Sequence, residues 1–319
     1  FTAIVVTRLI FEWLLKTGLL KSLPMLQFIG ETRIDFIGKR YFFYAISLIV
    51  IGAGMFSLFS KGNKAYGIDF SGGQLQEYSF ANPVHADQIR QALKDVNVTD
   101  ATIQEFKDNP KLVLIKTTQD KSNVITDELK KAFPKENVQV MRIERVGPVA
   151  GSHLKSKAFW ALIWSLIGIL VYVAFRFKHF NFAAAGVIAL FHDVAVAAGF
   201  LALTNRQIDL LSVTAFLTIA GYSINDTIVI YDRVRENARI ARNKMKLADL
   251  INLSVNQTLA RTLLTSGITL LTVIALFVWG GEVLSNFAFT LLVGFISGVY
   301  STVFIASPLV LAWAKKSER

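Results

Sequence analysis

Three ionisable residues lie within or beside long apolar runs, and they are the groups in this sequence best suited to carry ions. Asp226 lies in one apolar run, Asp193 lies in another, and Arg261 directly precedes a third. A carboxyl group among apolar side chains holds its proton more tightly, and a nearby arginine favours its release. The sequence therefore predicts a proton path in which movement of Arg261 toward or away from Asp226 switches the protonation of that carboxylate.

Each of these residues also has a structural interpretation, because ionisable groups at membrane depth usually face the interior of a helix bundle and find partners there. Asp226 could accept a hydrogen bond from a serine or threonine of a neighbouring helix, and Asp193 could pair with His192. Arg261 could extend its side chain to lipid headgroups. From the residues alone, both interpretations stay open.

Three more polar residues stand close to the two carboxylates along the chain. Tyr222 and Ser223 precede Asp226 by one helical turn and share its face. His192 directly precedes Asp193. These positions are consistent with the lining of a polar path and equally with ordinary packing.

Motifs of soluble enzymes are absent from the sequence. It has no nucleotide-binding GxxxxGK[ST] sequence, no zinc-binding HExxH and no GxSxG nucleophile motif. It also has no cysteine. We therefore expect no intrinsic ATPase activity, no bound metal and no cofactor, with protons as the coupling ion and sodium as the alternative.

The composition is typical of a membrane protein. Of the 319 residues, 53% are hydrophobic and 18% are charged, and the mean hydropathy is +0.46. A membrane-spanning helix needs about 20 apolar residues, and six runs approach or exceed that length. These runs are 41–59, 158–175, 180–204, 210–231, 262–279 and 283–314.

Two features of the last run bear on how it packs. GFISG at 294–298 has the spacing that permits close contact between helices, although two glycines that merely share a helix would give the same pattern. Pro308 is expected either to kink this run or to mark the point where it ends as a regular span.

Lysine and arginine lie in alternate connections between the runs, which argues that the net charge of +11 reflects membrane topology and not nucleic acid binding. Such basic segments stay in the cytosol, which places 60–157 outside. The residues are Lys16, Lys21, Arg33, Lys39, Arg40, Arg176, Lys178, Arg233, Arg235, Arg239, Arg242, Lys244, Lys246, Lys315, Lys316 and Arg319. We expect a cytosolic linker at 16–40, an amphipathic cytosolic helix at 232–258 and a cytosolic tail at 315–319.

The outer segment 60–157 has the pattern of one small α+β domain. The predicted strands are 73–80, 101–106, 111–117 and 137–146, and the predicted helices are 85–96 and 123–133. Their order, βαββαβ, suggests a ferredoxin-like sandwich. With five further spans in 158–314, the expected fold is a polytopic α-helical membrane protein with six transmembrane helices, a partial preceding span at 1–15 and an extracytoplasmic ferredoxin-like domain.

Several motifs, in this order along the chain, resemble those of the SecF family, the smaller half of the SecDF accessory complex of protein export. They are GIDFSGG at 67–73, VGPVAG at 146–151, FHD at 191–193, GYSINDTIVIYDRVREN at 221–237 and QTLARTLLTSG at 257–267. The resemblance extends from about residue 30 to the end of the chain. The first residues, FTAIVVTRLIF at 1–11, are similar to the end of the last SecD span, so the chain resembles the SecF half of a fused SecDF.

This resemblance implies the resistance-nodulation-division superfamily and the cell membrane of a bacterium or archaeon. Members of the family use the proton-motive force to assist the Sec translocon with preproteins that emerge on the outer side. The resemblance assigns Asp226 and Arg261 to proton transport, leaves Asp193 a less defined role, and places an essential partner carboxylate in a SecD span outside this sequence. The other motif residues that it marks are Gly67, Asp69, Gly72, Gly73, Gly147, Pro148, Gly151 and Asn225.

Three functions are compatible with these residues. The first is a proton-driven subunit of protein export, with SecD, the translocon channel, unfolded preprotein and the lipid bilayer as partners and with no nucleic acid. The second is a proton-coupled exporter of small molecules, for which about 95 outer residues are few to build a large apolar cavity. The third is a non-transporting scaffold of the translocon, in which Asp226 and Arg261 form a structural ion pair.

Overall fold

The computed structural model describes residues 2–19, 30, 32–99, 101–106, 109–178, 180–241 and 244–317. The chain divides into two compact units, Phe1–Thr32 and Arg33–Arg319. In the first unit a π-helical segment, Thr2–Val6, continues into helix α1 (Thr7–Lys16). A helix is therefore present where the partial span at 1–15 was predicted.

The second unit begins with helix α2 (Arg40–Lys61), which leads through the short helix α3 (Ile68–Ser71) into a small α+β domain. The elements of this domain are β1 (Gly73–Ser79), α4 (Ala86–Asp95), β2 (Thr102–Glu105), β3 (Leu112–Thr117), α5 (Ser122–Ala132) and β4 (Gln139–Val146). The four strands form one sheet in the order β2-β3-β1-β4, and each neighbouring pair is antiparallel. The predicted order βαββαβ is observed, and the ferredoxin-like assignment itself stays a prediction.

Periodic apolar residues explain why these segments fold as they do. Alternate residues of β3, Val113 and Ile115, are fully buried, as expected for a strand with one face against a core. Ile89 and Leu93 of α4, spaced four residues apart, lie on one helical face and are buried in the same core. Burial also raises the pKa of Tyr78 in β1 to about 12.

Five long helices follow the domain. They are α6 (Pro148–Phe177), α7 (Phe180–Leu203), α8 (Leu210–Ala241), α9 (Leu247–Trp279) and α10 (Gly281–Ser301). A π-helical segment, Thr302–Ala306, then leads into α11 (Ser307–Ser317). Among the described residues six helices are long and apolar enough to cross a membrane, which confirms the predicted number of spans. We call the end of this bundle that adjoins the sheet the domain end.

The helices extend further than the apolar runs that predicted them. The expected single helix at 232–258 is not formed, because 232–241 completes α8 and α9 begins at Leu247. Helix α6 begins at Pro148, ten residues before the predicted span, with proline at a position that favours a helix start. A helix can continue through charged residues outside the membrane, so the length of an apolar run does not determine where the helix begins or ends. Lys21, Arg242 and Arg319, which the topology argument used, lie outside the described residues, as does part of the linker 16–40.

Small residues bring the helices into close contact. A Cβ atom on Gly54 of α2 would lie 2.6 Å from the Cα of Gly199 of α7, so the two backbones cross at this pair of glycines. Both glycines of GFISG face α8: a Cβ on Gly294 would overlap the side chain of Ile219, and one on Gly298 would lie 3.1 Å from Ser223 Cβ. The GxxxG spacing therefore does mark a close helix contact.

The proline of the last span follows an irregular turn. The π-helical segment ends just before Ser307 and Pro308, and the Ser307 side chain donates to the Thr302 carbonyl oxygen at 2.9 Å. A proline ring removes one backbone donor and crowds the preceding turn. The widened turn and the serine hydroxyl accommodate both effects without breaking the span.

Candidate functional site

Asp193 of α7 lies at the centre of a buried polar cluster. Its side chain is fully buried. Its Oδ2 accepts hydrogen bonds from Ser223 of α8 at 2.7 Å and from Ser301 of α10 at 2.8 Å, and its Oδ1 accepts from Ser297 of α10 at 2.8 Å. His192 Nδ1 lies 3.1 Å from Oδ1, which is the contact that the structural interpretation of Asp193 offered.

The position of Asp193 makes this cluster a membrane-depth site. Asp193 lies about 20 Å along α7 from Phe180 and about 15 Å from Leu203, at 1.5 Å per residue. A carboxylate at that depth is costly unless polar groups surround it. Helix α10 passes close to the cluster at Gly298, where a Cβ would lie 3.1 Å from Ser223 Oγ and 3.7 Å from Asp193 Oδ2.

Asp226 of α8 is the second buried carboxylate, and its partner is on α9. It is 6% exposed, and its Oδ2 accepts a hydrogen bond from Ser266 at 3.0 Å. This is the contact that the structural interpretation of Asp226 predicted. The hydrogen bond leaves Oδ1 without a described partner.

Arg261 of α9 is exposed. It lies close enough for its charge to act on Asp226, yet no ion pair joins the two within the part of the chain that the structure describes. Arg261 is about 27 Å along α9 from Trp279, where this helix ends at the domain end of the bundle. Arg261 therefore lies near the middle of α9, and its guanidinium is on the outside of the bundle formed by this chain.

The neighbours of Asp226 in the sequence divide between two roles. Ser223 belongs to the Asp193 cluster, as described. Tyr222 packs its ring against Phe295 at 4.4 Å between centroids, and its hydroxyl contacts Thr269 Oγ1 at 2.8 Å. Asn225 points away from the bundle and is exposed. Tyr222 is therefore both packed and hydrogen-bonded, and Ser223 lies in a polar cluster.

Exposed polar or small residues form a continuous face on α8 and α9. The residues of this polar face are Thr214, Thr218, Gly221 and Asn225 on α8 and Arg261 and Thr265 on α9. The α8 residues are spaced four, three and four apart, so they share one side of the helix. The threonine hydroxyls bond to their own backbone, whereas the Asn225 amide and the Arg261 guanidinium have no hydrogen bond among the described residues. Lipid is a poor neighbour for such groups.

The motif residues next to the sheet hold the small domain against the bundle. Gly72 (φ +71°) has the left-handed backbone conformation that favours glycine. A Cβ there would lie 2.8 Å from Pro148 Cα, and one on Gly151 would lie 2.9 Å from the Gly72 nitrogen. The two motifs GIDFSGG and VGPVAG are therefore the two sides of one tight contact between α3 and α6.

The same junction also holds the start of α8. The Gly67 N–H donates to the Ile208 carbonyl oxygen at 2.8 Å. Asp69 Oδ2 accepts from the N–H of Leu210, the first residue of α8, at 2.9 Å. A carboxylate at this place satisfies a free helix donor and favours the helix dipole. The small domain is thus joined directly to the helix that carries Asp226.

Lys116 of β3 makes a second link between the sheet and the bundle. Its Nζ donates to Gln207 Oε1 in the loop between α7 and α8 at 2.5 Å. Lys116 lines a cleft of about 310 Å³ between the sheet and the domain end of the helices. Burial lowers the pKa of Lys116, and the carboxylates of Asp209, Asp69 and Glu144 act in the opposite direction.

Replacing Lys116 with Met is expected to remove a pH-dependent part of the stability. Between the lowered pKa of the folded lysine and its usual value of 10.5, the unfolded chain keeps a proton that the folded chain has released. Stability therefore rises with pH in that window. As the pH is raised toward 10.5, the thermal midpoint of the wild type should therefore rise relative to that of Lys116→Met. Lys130→Met changes an exposed lysine of α5 and keeps Lys116, so its thermal midpoint should follow that of the wild type at every pH. If the curve of Lys116→Met also ran parallel to these two, the assignment would be contradicted.

Metal-binding clusters do not occur in the described ranges, in which no three histidine, cysteine, aspartate or glutamate side chains are grouped to hold an ion. The expectation that the chain binds no metal and no cofactor stays a prediction. Two of the serines that bind Asp193, Ser297 and Ser301 of α10, were not among the residues expected from the sequence. Ser297 and Ser301 stand four residues apart on either side of Gly298, and that spacing beside a GxxxG sequence was the available signal.

Comparison with known proteins gives consistent matches over most of the chain. The family model described as the C-terminal part of the protein export membrane proteins SecD and SecF matches residues 124–316. Protein translocase subunit SecF of Calditerrivibrio nitroreducens is 42% identical over 289 residues, which are 88% of this chain and 94% of that protein. The SecF subunit of Thermodesulfovibrio yellowstonii is 40% identical over 301 residues, which are 92% of this chain and 99% of that protein.

Solved structures show the same fold within a longer chain. The crystal structure of SecDF from Thermus thermophilus, described as a translocon-associated membrane protein, matches with a TM-score of 0.84 and 35% identity over 96% of this chain. SecDF in a super-membrane-facing form matches with a TM-score of 0.73 and 35% identity over 98% of this chain. This chain covers only 41% and 43% of those two SecDF chains. By sequence and by structure, the chain belongs to the SecF family of protein translocase subunits.

Proposed function

We propose that this chain is the SecF part of a SecDF complex that uses the proton-motive force to promote preprotein translocation through the Sec translocon and release on the outer side. The observation that carries the proposal is the pair of buried carboxylates, Asp193 and Asp226, in adjacent membrane helices beside an exposed arginine. No part of this arrangement requires an ATPase of its own.

In this proposal the proton path runs along α8. Asp226 is the group that binds and releases the proton, because its Oδ1 has no described partner and its hydrogen bond from Ser266 can persist in either protonation state. Arg261 is the group whose distance from Asp226 controls that release. Asp193, joined to α8 through Ser223, is a second proton-binding group of the path.

The polar face supports SecD as the missing partner. Asn225 and Arg261 need hydrogen-bond or ion-pair partners within the membrane, and the described residues of this chain provide none. The solved SecDF chains are more than twice as long as the matched part. We propose that SecD helices cover the polar face and bring the carboxylate that completes the path with Asp226 and Arg261.

The direct connection between the small domain and α8 supports coupling of protons to movement. A change at Asp226 that shifts α8 acts on Asp69 and on the loop that Lys116 contacts. We propose that the basic segments lie in the cytosol of a bacterial or archaeal cell, as the distribution of lysine and arginine indicates. The small domain then faces the outer side, where the preprotein emerges.

A second candidate is a scaffold that holds the translocon without moving protons. The Ser266 hydrogen bond favours it, because a serine partner is what a purely structural aspartate would have. Membrane vesicles that contain the translocon, this chain and its SecD half separate the two candidates. Translocation of a preprotein is measured by protease protection, with a proton gradient, with a sodium gradient and with neither. A proton-driven subunit stimulates translocation only with the proton gradient, and a sodium-driven subunit only with the sodium gradient. A scaffold stimulates translocation equally under all three conditions.

The proposed SecD contact predicts a specific crosslink. A photoreactive phenylalanine analogue at Thr218, on the polar face, should form a covalent adduct with the SecD half in membranes. The same analogue at Trp164, an exposed residue of α6 outside that face (64% exposed), should react with lipid alone. Adducts of equal yield from both positions would show that the polar face is not the SecD contact.

A further inference from the structure

A chain of polar contacts runs from Asp193 through its neighbouring histidine to helix α2 and ends at a backbone carbonyl. His192 Nε2 lies 3.1 Å from Ser47 Oγ, which lies 2.9 Å from the Tyr300 hydroxyl. That hydroxyl donates to the Phe43 carbonyl oxygen at 2.7 Å. His192 is 6% exposed and Ser47 is 7% exposed, so the middle of this chain of contacts is buried between α2, α7 and α10.

The carbonyl at the end fixes the direction of every hydrogen bond before it. A carbonyl oxygen only accepts, so the single hydroxyl proton of Tyr300 is used there. The Tyr300 oxygen must then accept from Ser47, whose single proton is used in turn. Ser47 Oγ is left to accept from His192, and Nε2 of the histidine must therefore carry a proton.

The other side of the imidazole ring faces the carboxylate. Nδ1 lies 3.1 Å from Asp193 Oδ1 and 3.5 Å from Ser297 Oγ. Two unprotonated acceptors 3.1 Å apart would repel, so one proton lies between Nδ1 and Oδ1. That proton belongs either to an imidazolium facing a carboxylate or to a carboxyl group facing a neutral imidazole. Either form leaves the pair with no net charge, which suits its burial in the membrane.

The surrounding donors favour the first form. Three serine hydroxyls donate to Asp193, and with Nδ1–H they fill the four acceptor positions of an ionised carboxyl group. The Tyr300 ring stacks on His192 at 5.8 Å between centroids, a contact that favours a positively charged ring.

We propose that His192 and Asp193 form a one-proton store that is closed at its histidine end. Ser47 and Tyr300 are the residues that close it, because they hold the Nε2 proton against a carbonyl that can pass it no further. The remaining proton of the pair lies between Nδ1 and Oδ1, and because the histidine end is closed, this proton can be exchanged only on the Asp193 side, where Ser223 connects to α8. The role of the store in translocation rests on the proposed function, whereas its protonation does not.

The groups around the pair are few. The described side chains of α2, α8 and α10 that lie within hydrogen-bond distance of the pair all end in serine hydroxyls. The next group beyond Ser47 is the Tyr300 hydroxyl, which can itself titrate. Helix α6, which also packs on α7, is uncharged from 158 to 175. Asp226 is one turn along α8 from Ser223, and its described hydrogen bond is to Ser266 on the other side, in α9.

Nitrogen-15 NMR of labelled histidine in lipid bilayers tests the store directly. The chain has four histidines, so replacing His85, His153 and His179 with Gln leaves the signal of His192 alone. We expect the signal of a protonated Nε2, because the hydroxyl chain leaves that nitrogen no role but that of donor. In Tyr300→Phe and Ser47→Ala nothing requires Nε2 to donate, and we expect the signal of an unprotonated Nε2 to appear.

Tyr44→Phe is the matched control, because the Tyr44 hydroxyl on α2 has no hydrogen-bond partner among the described groups. Its spectrum should equal that of the parent chain. An unprotonated Nε2 in the parent chain overturns the store even where no variant folds, and a spectrum unchanged by Tyr300→Phe overturns the role of the hydroxyl chain. Neither result bears on the proposed function, which the vesicle assay tests separately. A failure of proton coupling in the vesicle assay would in turn leave the histidine spectrum unchanged.

Discussion

Replacing Asp226 with Asn is expected to abolish gradient-driven translocation in the vesicle assay while leaving the folded chain intact. An amide cannot bind and release a proton near neutral pH, so stimulation should fall by at least about tenfold, to the level of vesicles without the chain. The fold should persist because the amide oxygen can still accept the hydrogen bond from Ser266. Proton uptake and preprotein protection, measured in the same vesicles, should be lost together.

Asp249→Asn provides the control for Asp226→Asn. Asp249 lies in the first turn of α9 and is exposed, so the same chemical change there removes a carboxylate outside the proposed path. Stimulation should stay at the wild-type level. Full stimulation in Asp226→Asn, at equal amounts of folded protein, would instead support the scaffold and end the proton-path proposal for α8.

The burial of the two carboxylates could be predicted because it follows from physical cost. A run of about 20 apolar residues with one aspartate can only be a helix that hides that aspartate from lipid. The same reasoning located all six spans. It also offered His192 as a partner of Asp193 and a hydroxyl of a neighbouring helix as a partner of Asp226, each as one of two open interpretations, and both contacts are present.

The identity of the more distant partners could not be predicted, because it depends on which helices meet. Ser301 reaches Asp193 across more than a hundred residues of sequence, and only the packing of α10 on α7 brings them together. The side chains of Asn252 and Asn256 in α9 provide a further case. They hydrogen-bond to the backbone at Ile34 and Phe36, and amides that bind backbone leave no pattern in the residues they bind.

The glycine motifs had no chemical interpretation in the sequence, and their explanation is geometric. GIDFSGG and VGPVAG are separated by the whole small domain, yet they meet where the chain enters and leaves it. The positive φ of Gly72 and the close approach of Gly151 require residues without a side chain. A motif of this kind reports a backbone contact, and no count of charges or apolar residues would reveal its partner.

That contact leads to the largest expected effect on stability, which is the change Gly72→Ala. An alanine at φ +71° and ψ 171°, a region occupied almost only by glycine, costs about 1–3 kcal/mol. Its Cβ would also lie 2.8 Å from Pro148 Cα, a backbone atom that cannot rotate away, which adds about 1–3 kcal/mol. The free energy that holds the small domain on the bundle should therefore fall by about 2 kcal/mol or more.

Protease cleavage of the full chain in membranes measures this loss. Cleavage of the small domain tracks the population of its opened form, so the rate should rise about thirtyfold or more in Gly72→Ala. Gly147→Ala is the matched control, because a Cβ there meets no atom within 4 Å and its φ of −67° suits any residue. Cleavage of that variant should match the wild type. If both variants are cleaved equally slowly, the contact between α3 and α6 does not hold the domain, and the link from the domain to α8 must depend on Asp69 and Lys116 instead.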